Sequence, residues 1–472
     1  MSGGLERLAS TCIFPGFPGP TLPDWVRREL DGGLGGVVLF SWNVESRAQL
    51  TALSAAIRAE RAEALIGIDE EGGDVTRLEA AAGSSYPGNL ALGTVDDVEL
   101  TGRVAAAIGG ELAAAGVNLD LAPVADVNSD ERNPIIGVRS FGSEPALVAR
   151  HTAAFTAGLQ SLGVAACAKH FPGHGATRAD SHLELPSIDV DRETLLRREL
   201  VPFRAAIEAG VQAIMTAHIR VPAVDELPAT LSRAHLTGLL RDELGFDGMA
   251  ITDALEMRAV SATVGVEEGA VLAIAAGADA LCLGHDLFED AVRAVRLALV
   301  EAVRAGRLPE ERLAEAAARV ERAGRWTLEG PAGTAPSPEV GLEAARRALR
   351  AEGTVELTGR ALVVELVPEA TIAAGPAGHT FGALLAERRP GTEHFVIRHP
   401  TEIPRGDRQL VVVIRDAHRH EWEREVAQGL ADGAVVVDVG VPVWRPDGAA
   451  GTVVTYGAGR ANLLAAAERL SP

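Results

Sequence analysis

Cysteine is scarce in this sequence, with three residues among 472. An odd and sparse count excludes a framework of disulfides of the kind that holds small secreted domains together. Cys12, Cys167 and Cys282 each lie within or beside an apolar run that is typical of a strand. We therefore expect three buried thiols, and a reducing compartment is favoured.

Long apolar runs are also missing. No window offers the roughly 18 uninterrupted apolar residues that a membrane-spanning helix needs. The first residues of the chain show neither a long apolar segment nor the small-residue cleavage site that would follow it in a secretory signal. We therefore expect a cytoplasmic protein without a membrane partner.

Basic residues are outnumbered by acidic ones, 44 Lys and Arg against 65 Asp and Glu, which leaves a formal net charge of -21. A surface of that charge repels phosphate backbones, so no nucleic-acid partner is expected. Hydrophobic residues make up 47% and charged residues 23%, the composition of a globular protein with a full core. The length suffices for one large barrel and a smaller domain, and the oligomeric state is left unknown.

Eight short apolar runs recur in the first two thirds of the chain, and most are followed by a stretch with helical periodicity. The runs are residues 11–14, 36–40, 65–69, 118–122, 165–169, 213–217, 249–253 and 280–284. Apolar strands that alternate with helices predict a parallel sheet covered on both faces. The fold class is therefore α/β, and eight such units fit a (β/α)8 TIM-like barrel. An open doubly wound sheet is the alternative, but no G-x-G-x-x-G follows an early strand.

A segment rich in Pro, Gly and Ala precedes the last third of the chain and predicts a domain boundary. We assign residues 1–330 to the barrel, 331–338 to a linker and 339–472 to a second, smaller open α/β domain of unknown role. Its expected strands are residues 361–365, 410–414, 434–438 and 452–455, and its expected helices are residues 339–351, 421–430 and 461–470.

For two small features of this second domain we favour a structural interpretation over a functional one. Gly457-Ala458-Gly459 resembles a phosphate-binding turn only weakly, and an ordinary strand-to-helix turn is expected. His418 and His420 are expected to be solvated loop residues rather than ligands of a surface metal.

A Gly- and Pro-rich loop directly after one apolar run concentrates protonatable groups. It carries Lys169, His170, His174, Asp180 and His182. A strand that ends in such a loop is more often a catalytic arrangement than a structural one. The alternative is that the histidines fill turns or form a chance metal clip.

Other predicted strands also end in polar residues, namely Asp69, His218 and Asp253. In a barrel the carboxyl ends of the strands share one face, where the active site is built. Residues far apart in the sequence are therefore expected to meet in one pocket.

A metal is the main competing use of the histidine-rich loop, since His170, His174, Asp180 and His182 include suitable ligands. No H-E-x-x-H or C-x-x-C pattern supports such a site. Lys169 beside the first ligand would repel a cation. We therefore expect neither a metal nor another cofactor.

Three motifs carry a resemblance to a known family. They are Lys169-His-Phe-Pro-Gly-His-Gly175, Asp180-Ser-His182 with Leu185-Pro186, and Ile251-Thr-Asp253-Ala-Leu-Glu-Met257. Supporting matches are Ile68-Asp-Glu-Glu-Gly-Gly73, Ala122-Pro-Val-Ala-Asp-Val-Asn128, Asn133-Pro-Ile-Ile-Gly-Val-Arg139-Ser-Phe-Gly142, Ile214-Met-Thr-Ala-His218 and Leu227-Pro-Ala-Thr-Leu-Ser232. Together they resemble glycoside hydrolase family 3 over residues 5–330, and the Asp-Ser-His element resembles its NagZ-type β-N-acetylglucosaminidase branch rather than the β-glucosidases.

The resemblance implies a retaining exo-β-N-acetylglucosaminidase that removes terminal non-reducing GlcNAc from peptidoglycan fragments or chitooligosaccharides. Asp253 would be the nucleophile that forms a covalent glycosyl-enzyme ester. His182, oriented by Asp180, would serve as the acid/base in place of the usual second carboxylic acid. An unperturbed imidazole titrates near about 6.5, so it can move a proton near neutral pH without a large shift. The alternative for Asp253 is an N-cap of the next helix.

The remaining candidates are expected to hold the sugar. Asp69 would accept hydrogen bonds from ring hydroxyls, and Lys169, His170 and Arg139 would donate to them. His218 would either line the pocket or cap its strand. Each of these residues has the alternative of a structural ion pair or cap at the rim of a barrel.

One departure from the family pattern is visible at the third strand, where Glu70 stands between Asp69 and Glu71 in place of the common Gln. Glu70 is expected to add a charge near the pocket and to affect substrate preference.

Two other functions stay open at this point. One is a phosphorylase with the same residues, since a histidine acid/base does not repel phosphate as a carboxylate would. The other is a non-catalytic glycan-binding protein.

Overall fold

The computed structural model describes residues 2–178, 185–368, 380–401, 403 and 406–471. Ten strands lie in the part of this range before residue 330. They are β1 (Ile13–Pro15), β2 (Gly36–Leu39), β3 (Leu65–Ile68), β4 (Leu119–Asp120), β5 (Ala165–Phe171), β6 (Ala213–Thr216), β7 (Arg220–Val221), β8 (Asp225–Pro228), β9 (Met249–Thr252) and β10 (Leu281–Gly284). Each of the eight apolar runs forms a strand, and β7 and β8 form a small antiparallel hairpin between two of them.

The eight main strands are parallel neighbours in chain order. A hydrogen-bonded sheet runs β2-β3-β4-β5-β6-β9, a bridge between Ile251 and Ala280 adds β10, and β10 pairs with β1. At the other end β1 lies beside β2. Gly36 of β2 is so close to Phe14 of β1 that an added Cβ would come 2.5 Å from the Phe14 ring. Sequential order excludes the doubly wound alternative for this sheet, which would require a reversal of strand order. The predicted α/β fold with a parallel sheet is confirmed.

Helices cover this sheet between its strands. They are α1 (Ser2–Thr11), α2 (Asp24–Asp31), α3 (Arg47–Glu60), α4 (Asn89–Val95), α5 (Val98–Ala114), α6 (Pro145–Gln160), α7 (Arg192–Thr194), α8 (Val201–Glu208), α9 (Arg258–Ser261), α10 (Val266–Ala276), α11 (Glu289–Arg304) and α12 (Glu310–Glu329). π-helical turns at Leu195–Glu199 and Ala234–Glu243 complete two of the crossovers. Because neighbouring strands are parallel, the polar side chains at their carboxyl ends lie at the same edge of the sheet.

Alternate strand residues belong to two different packing layers, as the two-residue period of a strand requires. One set packs together on the inner face, and the other set packs against the helices. The inner set includes Phe14, Val38, Leu65, Leu119, Cys167, Met215, Ile251 and Cys282. The three cysteines are free and buried, as predicted, and burial raises the pKa of each thiol above its ordinary value.

The last third of the described chain forms a second sheet. Its strands are β11 (Arg350–Gly353), β12 (Ala361–Leu366), β13 (Glu393–Ile397), β14 (Gln409–Ile414), β15 (Val435–Asp438) and β16 (Gly451–Val454), in the order β11-β16-β15-β14-β12-β13. Its helices are α13 (Glu339–Ala348), α14 (Phe381–Arg388), α15 (Glu421–Leu430) and α16 (Arg460–Leu470). All pairs are parallel except β11 with β16. The expected open α/β fold is confirmed, and it is this smaller sheet that is doubly wound.

Four strands, β7, β8, β11 and β13, were not predicted from the sequence pattern, and one helix was predicted too long. β11 and most of β13 are exposed at the sheet edges, so they lack the apolar run that marks the inner strands. Helix α13 ends at Ala348 instead of residue 351, because Arg350–Gly353 pairs with β16. Among the described residues, no helix is both long and apolar enough to cross a membrane.

Candidate functional site

A cavity of about 590 Å³ opens where the parallel strands of the first sheet end. Its lining includes five of the residues predicted to form the catalytic and sugar-binding site. Further charged and polar side chains form the rest of the wall, together with apolar and aromatic ones. The five are Asp69, Arg139, Lys169, His170 and Asp253. Residues up to 184 positions apart in the chain thus meet in one concave space, which is the usual form of a small-molecule site.

Lys169 lies at the bottom of this cavity and is the one lysine in the whole chain. Its Nζ is 2.6 Å from Oδ1 of Asp69 and 2.8 Å from Oε1 of Glu71. Burial disfavours its charge, but the two carboxylates prevail and raise the pKa of Lys169 above its ordinary value. The lysine therefore stays charged and can donate a hydrogen bond into the cavity.

Arg139 completes this buried network from a 3-10 turn, Gly137–Arg139. Its Nε and Nη2 contact the two carboxylate oxygens of Glu71 at 2.9 and 2.7 Å, the bidentate geometry that guanidinium and carboxylate favour. Asn89 fixes the turn by donating to the Arg139 carbonyl at 2.7 Å. Glu71, whose role was not foreseen from the sequence, therefore holds both cations in place.

The carboxylates of this network stay ionised. Burial alone would raise the pKa of Asp69, but the charges of Lys169 and Arg77 lower it below its ordinary value. The pKa of Glu71 is likewise lowered against the effect of burial, by Arg139 and Lys169. Charged acceptors and donors thus face the cavity together, which suits a ligand rich in hydroxyl groups.

His170 follows Lys169 through a cis peptide bond and turns toward Asp126. Its Nδ1 is 2.7 Å from Oδ2 of this fully buried carboxylate. Asp126 also accepts the backbone N–H of His174 at 2.7 Å. It thereby fixes the orientation of His170 and leaves Nε2 for the cavity. Asp126 was not named as a functional residue, although its segment was among the motifs.

His174 also lines the cavity, and burial lowers its pKa to about 4. Its Nδ1 is 2.8 Å from the Thr177 hydroxyl, so it shapes the start of the loop. Asn133 donates to the His174 carbonyl at 2.8 Å and Arg178 contacts Asp130 at 2.6 Å. Asp180 and His182, the predicted dyad, lie outside the described residues.

Asp253 follows β9 at the cavity wall and is partly exposed. Its backbone N–H bonds to the Thr216 carbonyl at 3.1 Å, and its Oδ1 accepts the N–H of Ala254 at 2.8 Å. These bonds fix the carboxylate on a rigid strand end. The helix that follows begins five residues later, at Arg258, so the carboxylate is not the N-cap of α9.

His218 is fully buried behind Asp253 and is not part of the cavity wall. Its Nε2 donates to the Ala254 carbonyl at 3.0 Å, and its Nδ1 is 2.8 Å from the Thr230 hydroxyl. Of its two predicted roles, this geometry supports the strand-end role over direct contact with a ligand.

Glu70 corrects a prediction, because it does not add a charge to the cavity wall. Its side chain is buried away from the cavity, where Oε2 accepts the N–H groups of Arg77 and Leu78 at 2.8 and 3.0 Å. Burial raises the pKa of Glu70 to about 7. The side chains alternate past the end of β3 as they do within a strand, so Asp69 and Glu71 line the cavity and Glu70 does not.

An aromatic wall, which no motif predicted, forms the outer part of the cavity. Phe40 and Trp42 stack with ring centroids 5.0 Å apart, and His285 lies 5.7 Å from Trp42. Trp42 is 43% exposed. An exposed indole beside a polar floor offers a flat apolar surface to one face of a ring-shaped ligand.

Glu256, His285 and Asp286 form the group among the described residues whose ligand atoms lie close enough to share a metal ion. Glu256 already accepts the backbone N–H groups of His285 and Asp286, each at 2.7 Å, and contacts the His285 ring. Its carboxylate is therefore engaged in holding the loop after β10. The group lines the same cavity as His170 and His174 but includes neither of them.

Fold and site together define an α/β protein with a carboxylate- and cation-lined cavity at the strand ends, suited to a polyhydroxylated ligand. Residues 24–323 match the N-terminal domain of glycosyl hydrolase family 3. The chain belongs to this family, and the predicted membership is confirmed.

Three similar proteins carry beta-hexosaminidase or beta-N-acetylglucosaminidase names. Beta-hexosaminidase A of Pseudoalteromonas piscicida is 39% identical over 251 residues, and the match spans 48% of this chain but only 42% of that protein. The beta-hexosaminidase of Thiobacillus denitrificans is 41% identical over 288 residues, 58% of this chain and 79% of that protein. A solved glycoside hydrolase family 3 beta-N-acetylglucosaminidase from Paenibacillus sp. str. FPU-7 superposes with a TM-score of 0.91 and 35% identity, covering 99% of this chain and 96% of that one.

Proposed function

We propose that this protein is a retaining exo-β-N-acetylglucosaminidase that releases terminal non-reducing GlcNAc. The observation that carries the proposal is the cavity in which Asp253 faces the charged network of Asp69, Glu71, Lys169 and Arg139. A fixed carboxylate beside a set of charged hydrogen-bonding groups is what attack on a sugar at its anomeric carbon requires. The hexosaminidase and β-N-acetylglucosaminidase names of similar proteins support the same activity.

In this proposal Asp253 attacks the anomeric carbon and forms a glycosyl-enzyme ester, which water then hydrolyses. His182 gives a proton to the leaving oxygen and later takes one from the water, and Asp180 sets its tautomer and stabilises the imidazolium. Lys169, Arg139, His170 and Asp69 hold the hydroxyls of the sugar, while His218 orients the peptide next to Asp253. Binding energy from these remote contacts is available to distort the ring toward the transition state.

The substrate beyond the terminal sugar would lie along the aromatic wall of Phe40, Trp42 and His285. Peptidoglycan fragments and chitooligosaccharides both fit this description, and we propose them as the natural substrate classes.

The same proposal includes a closed eight-stranded barrel, a catalytic unit at residues 1–330, a linker at 331–338 and a second domain at 339–472. A cytoplasmic location stays a prediction.

The test is hydrolysis of an aryl β-N-acetylglucosaminide, with the matching aryl β-glucoside as a control. We expect release of the aryl group from the first substrate and, by proton NMR, β-GlcNAc as the first-formed anomer. A preference for the glucoside, or the α-anomer as first product, would contradict the proposal. Adding inorganic phosphate discriminates against the phosphorylase alternative, since hydrolysis does not respond to it.

A further inference from the structure

Asp69 directly follows β3, and the chain then enters a tight turn that has Glu71 at its start. Glu71 donates its backbone N–H to the Val75 carbonyl at 3.0 Å, and Gly72 and Gly73 occupy left-handed positions with φ of 77° and 59°. Asp74 lies at the tip of this turn, and its side chain is only 4% exposed. The turn that holds Glu71 therefore ends in a buried charge.

Both carboxylate oxygens of Asp74 are bound by the second domain. Nη2 of Arg415, which directly follows β14, is 2.5 Å from Oδ2. The backbone N–H of Ala458 donates to Oδ1 at 2.7 Å. Ala458 lies in the glycine-flanked turn before α16, so a carboxylate of the first domain sits where an anion would bind to a helix amino terminus.

The two backbones also meet at this point. A Cβ built on Gly459 would come 2.8 Å from the Cα of Gly73, which leaves room for glycine alone without a shift. Gly457 lines a cavity of about 10 Å³ together with Glu71, Asp74 and Arg139. That volume is about the size of one water molecule, so the second domain packs directly behind the Glu71–Arg139 pair.

We propose that the second domain, acting through Asp74, positions the floor of the larger cavity, by which we mean the network of Asp69, Glu71, Lys169 and Arg139. The contacts of Arg415 and the turn at residues 457–459 fix the turn at residues 71–75, and this turn fixes Glu71, which holds Lys169 and Arg139. Neither Asp74 nor Arg415 lines this larger cavity. This inference rests on the proposed function for the role of Lys169 and Arg139 in holding a sugar.

The variants Asp74→Asn, Arg415→Met and Gly459→Ala test it in the full-length protein. Because Lys169 is the only lysine, protein labelled with ¹³C-lysine gives one lysine signal, which reports on the cavity floor directly. We expect each variant to move this signal and to lower kcat/KM for the aryl N-acetylglucosaminide about 10- to 100-fold, mainly through KM. Arg415→Lys, which keeps the charge, should restore part of the loss.

Two controls separate positioning from a general loss of stability. Gly429→Ala changes a second-domain glycine whose added Cβ would meet nothing within 4 Å, and Arg103→Met removes an exposed ion pair of 3.0 Å to Glu343 on α13. Both should leave the lysine signal and KM unchanged. Thermal unfolding is measured for all variants.

The inference is overturned if Asp74→Asn and Gly459→Ala keep the wild-type lysine signal and KM and only their unfolding temperature is lowered. Asp74 would then be a structural anchor. Failure of the wild-type protein to hydrolyse the glycoside would instead overturn the proposed function. The lysine signal distinguishes these outcomes, because it does not depend on activity. Should Arg415→Met not fold, Gly459→Ala and Arg415→Lys still decide the question.

Discussion

The two parallel sheets of this protein each place acidic side chains where their strands end, but the carboxylates have different partners. In the first sheet Asp69 and Glu71 contact the side-chain cations Lys169 and Arg139 and face a cavity of about 590 Å³. These neighbouring charges lower the pKa of both carboxyl groups despite their burial. The first set is therefore ionised and available to a ligand.

In the second sheet the corresponding carboxylates are bound by backbone N–H groups of the protein. Glu365 at the end of β12 accepts from Phe381 and Gly382 at the start of α14, at 3.0 and 2.7 Å. Asp438 at the end of β15 accepts from Gly440 at 3.0 Å. Burial raises the pKa of Asp438 to about 7.

This difference shows which strand-end carboxylates make a site. An open α/β sheet usually binds ligands where the strand order reverses, which here is between β12 and β14. Glu365, at the end of β12, instead fills the helix amino terminus that an anionic ligand would use. A carboxylate that closes a helix or a turn serves the fold, whereas one paired with cations beside a cavity can serve a ligand.

The largest expected effect follows from exchanging a carboxylate for its amide in each sheet. Asp253→Asn should lower kcat of glycoside hydrolysis about 10⁴-fold, because the amide is a far weaker nucleophile. Asp438→Asn, the matched change in the second sheet, should leave kcat within about twofold. Equal losses in the two variants, measured with the aryl N-acetylglucosaminide, would contradict the assignment of the site to the first sheet.

A smaller loss is expected from removing a cation of the first network. Lys169→Met should lower kcat/KM about 100-fold, because one or two charged hydrogen bonds of about 1.5–3 kcal/mol each are lost. Arg346→Met removes the bidentate pair with Glu468 in the second domain, at 2.7 and 2.8 Å, and should not change kcat/KM. Steady-state kinetics of the two variants checks this, and an unaffected Lys169→Met would exclude the lysine from sugar binding.

The smallest effect is a difference in the pH dependence of stability. The folded-state pKa of Asp438 is raised from 3.8 to about 7, so its contribution falls as pH rises through that window. Asp438→Asn does not titrate, and it should gain about 2 kcal/mol relative to wild type between pH 5 and pH 8. Denaturant unfolding at the two pH values measures the gain.

Glu71→Gln should behave in the opposite way. The folded-state pKa of Glu71 is lowered, so its ion pairs contribute stability above the ordinary value of 4.5 that is lost as pH falls. The Gln variant should therefore be less stable than wild type at pH 8, with a difference that shrinks toward low pH. The same sign of pH dependence for both variants would remove the distinction between the two sets of carboxylates.

Much of the fold could be predicted because the inner strands are buried on both faces and read as apolar runs. All eight runs before residue 330 form strands, and β12, β14, β15 and β16 were likewise expected. β11 and β13 were missed because exposed edge strands need no apolar side chains. The helix predicted for residues 339–351 was too long because local propensity does not register the pairing of Arg350–Gly353 with β16.

The sequence by itself determined which residues stand at strand ends, since that depends on local apolar patterning and on the residues next to it. Asp69, Lys169 and Asp253 were identified in this way. Only the tertiary structure decided their partners: Glu71 rather than Glu70 faces the cavity, Asp126 orients His170, and His218 lies behind Asp253. Asp74 meets Arg415 across 341 positions of the chain. Such contacts depend on how the sheets curve and pack together, and no local pattern records that.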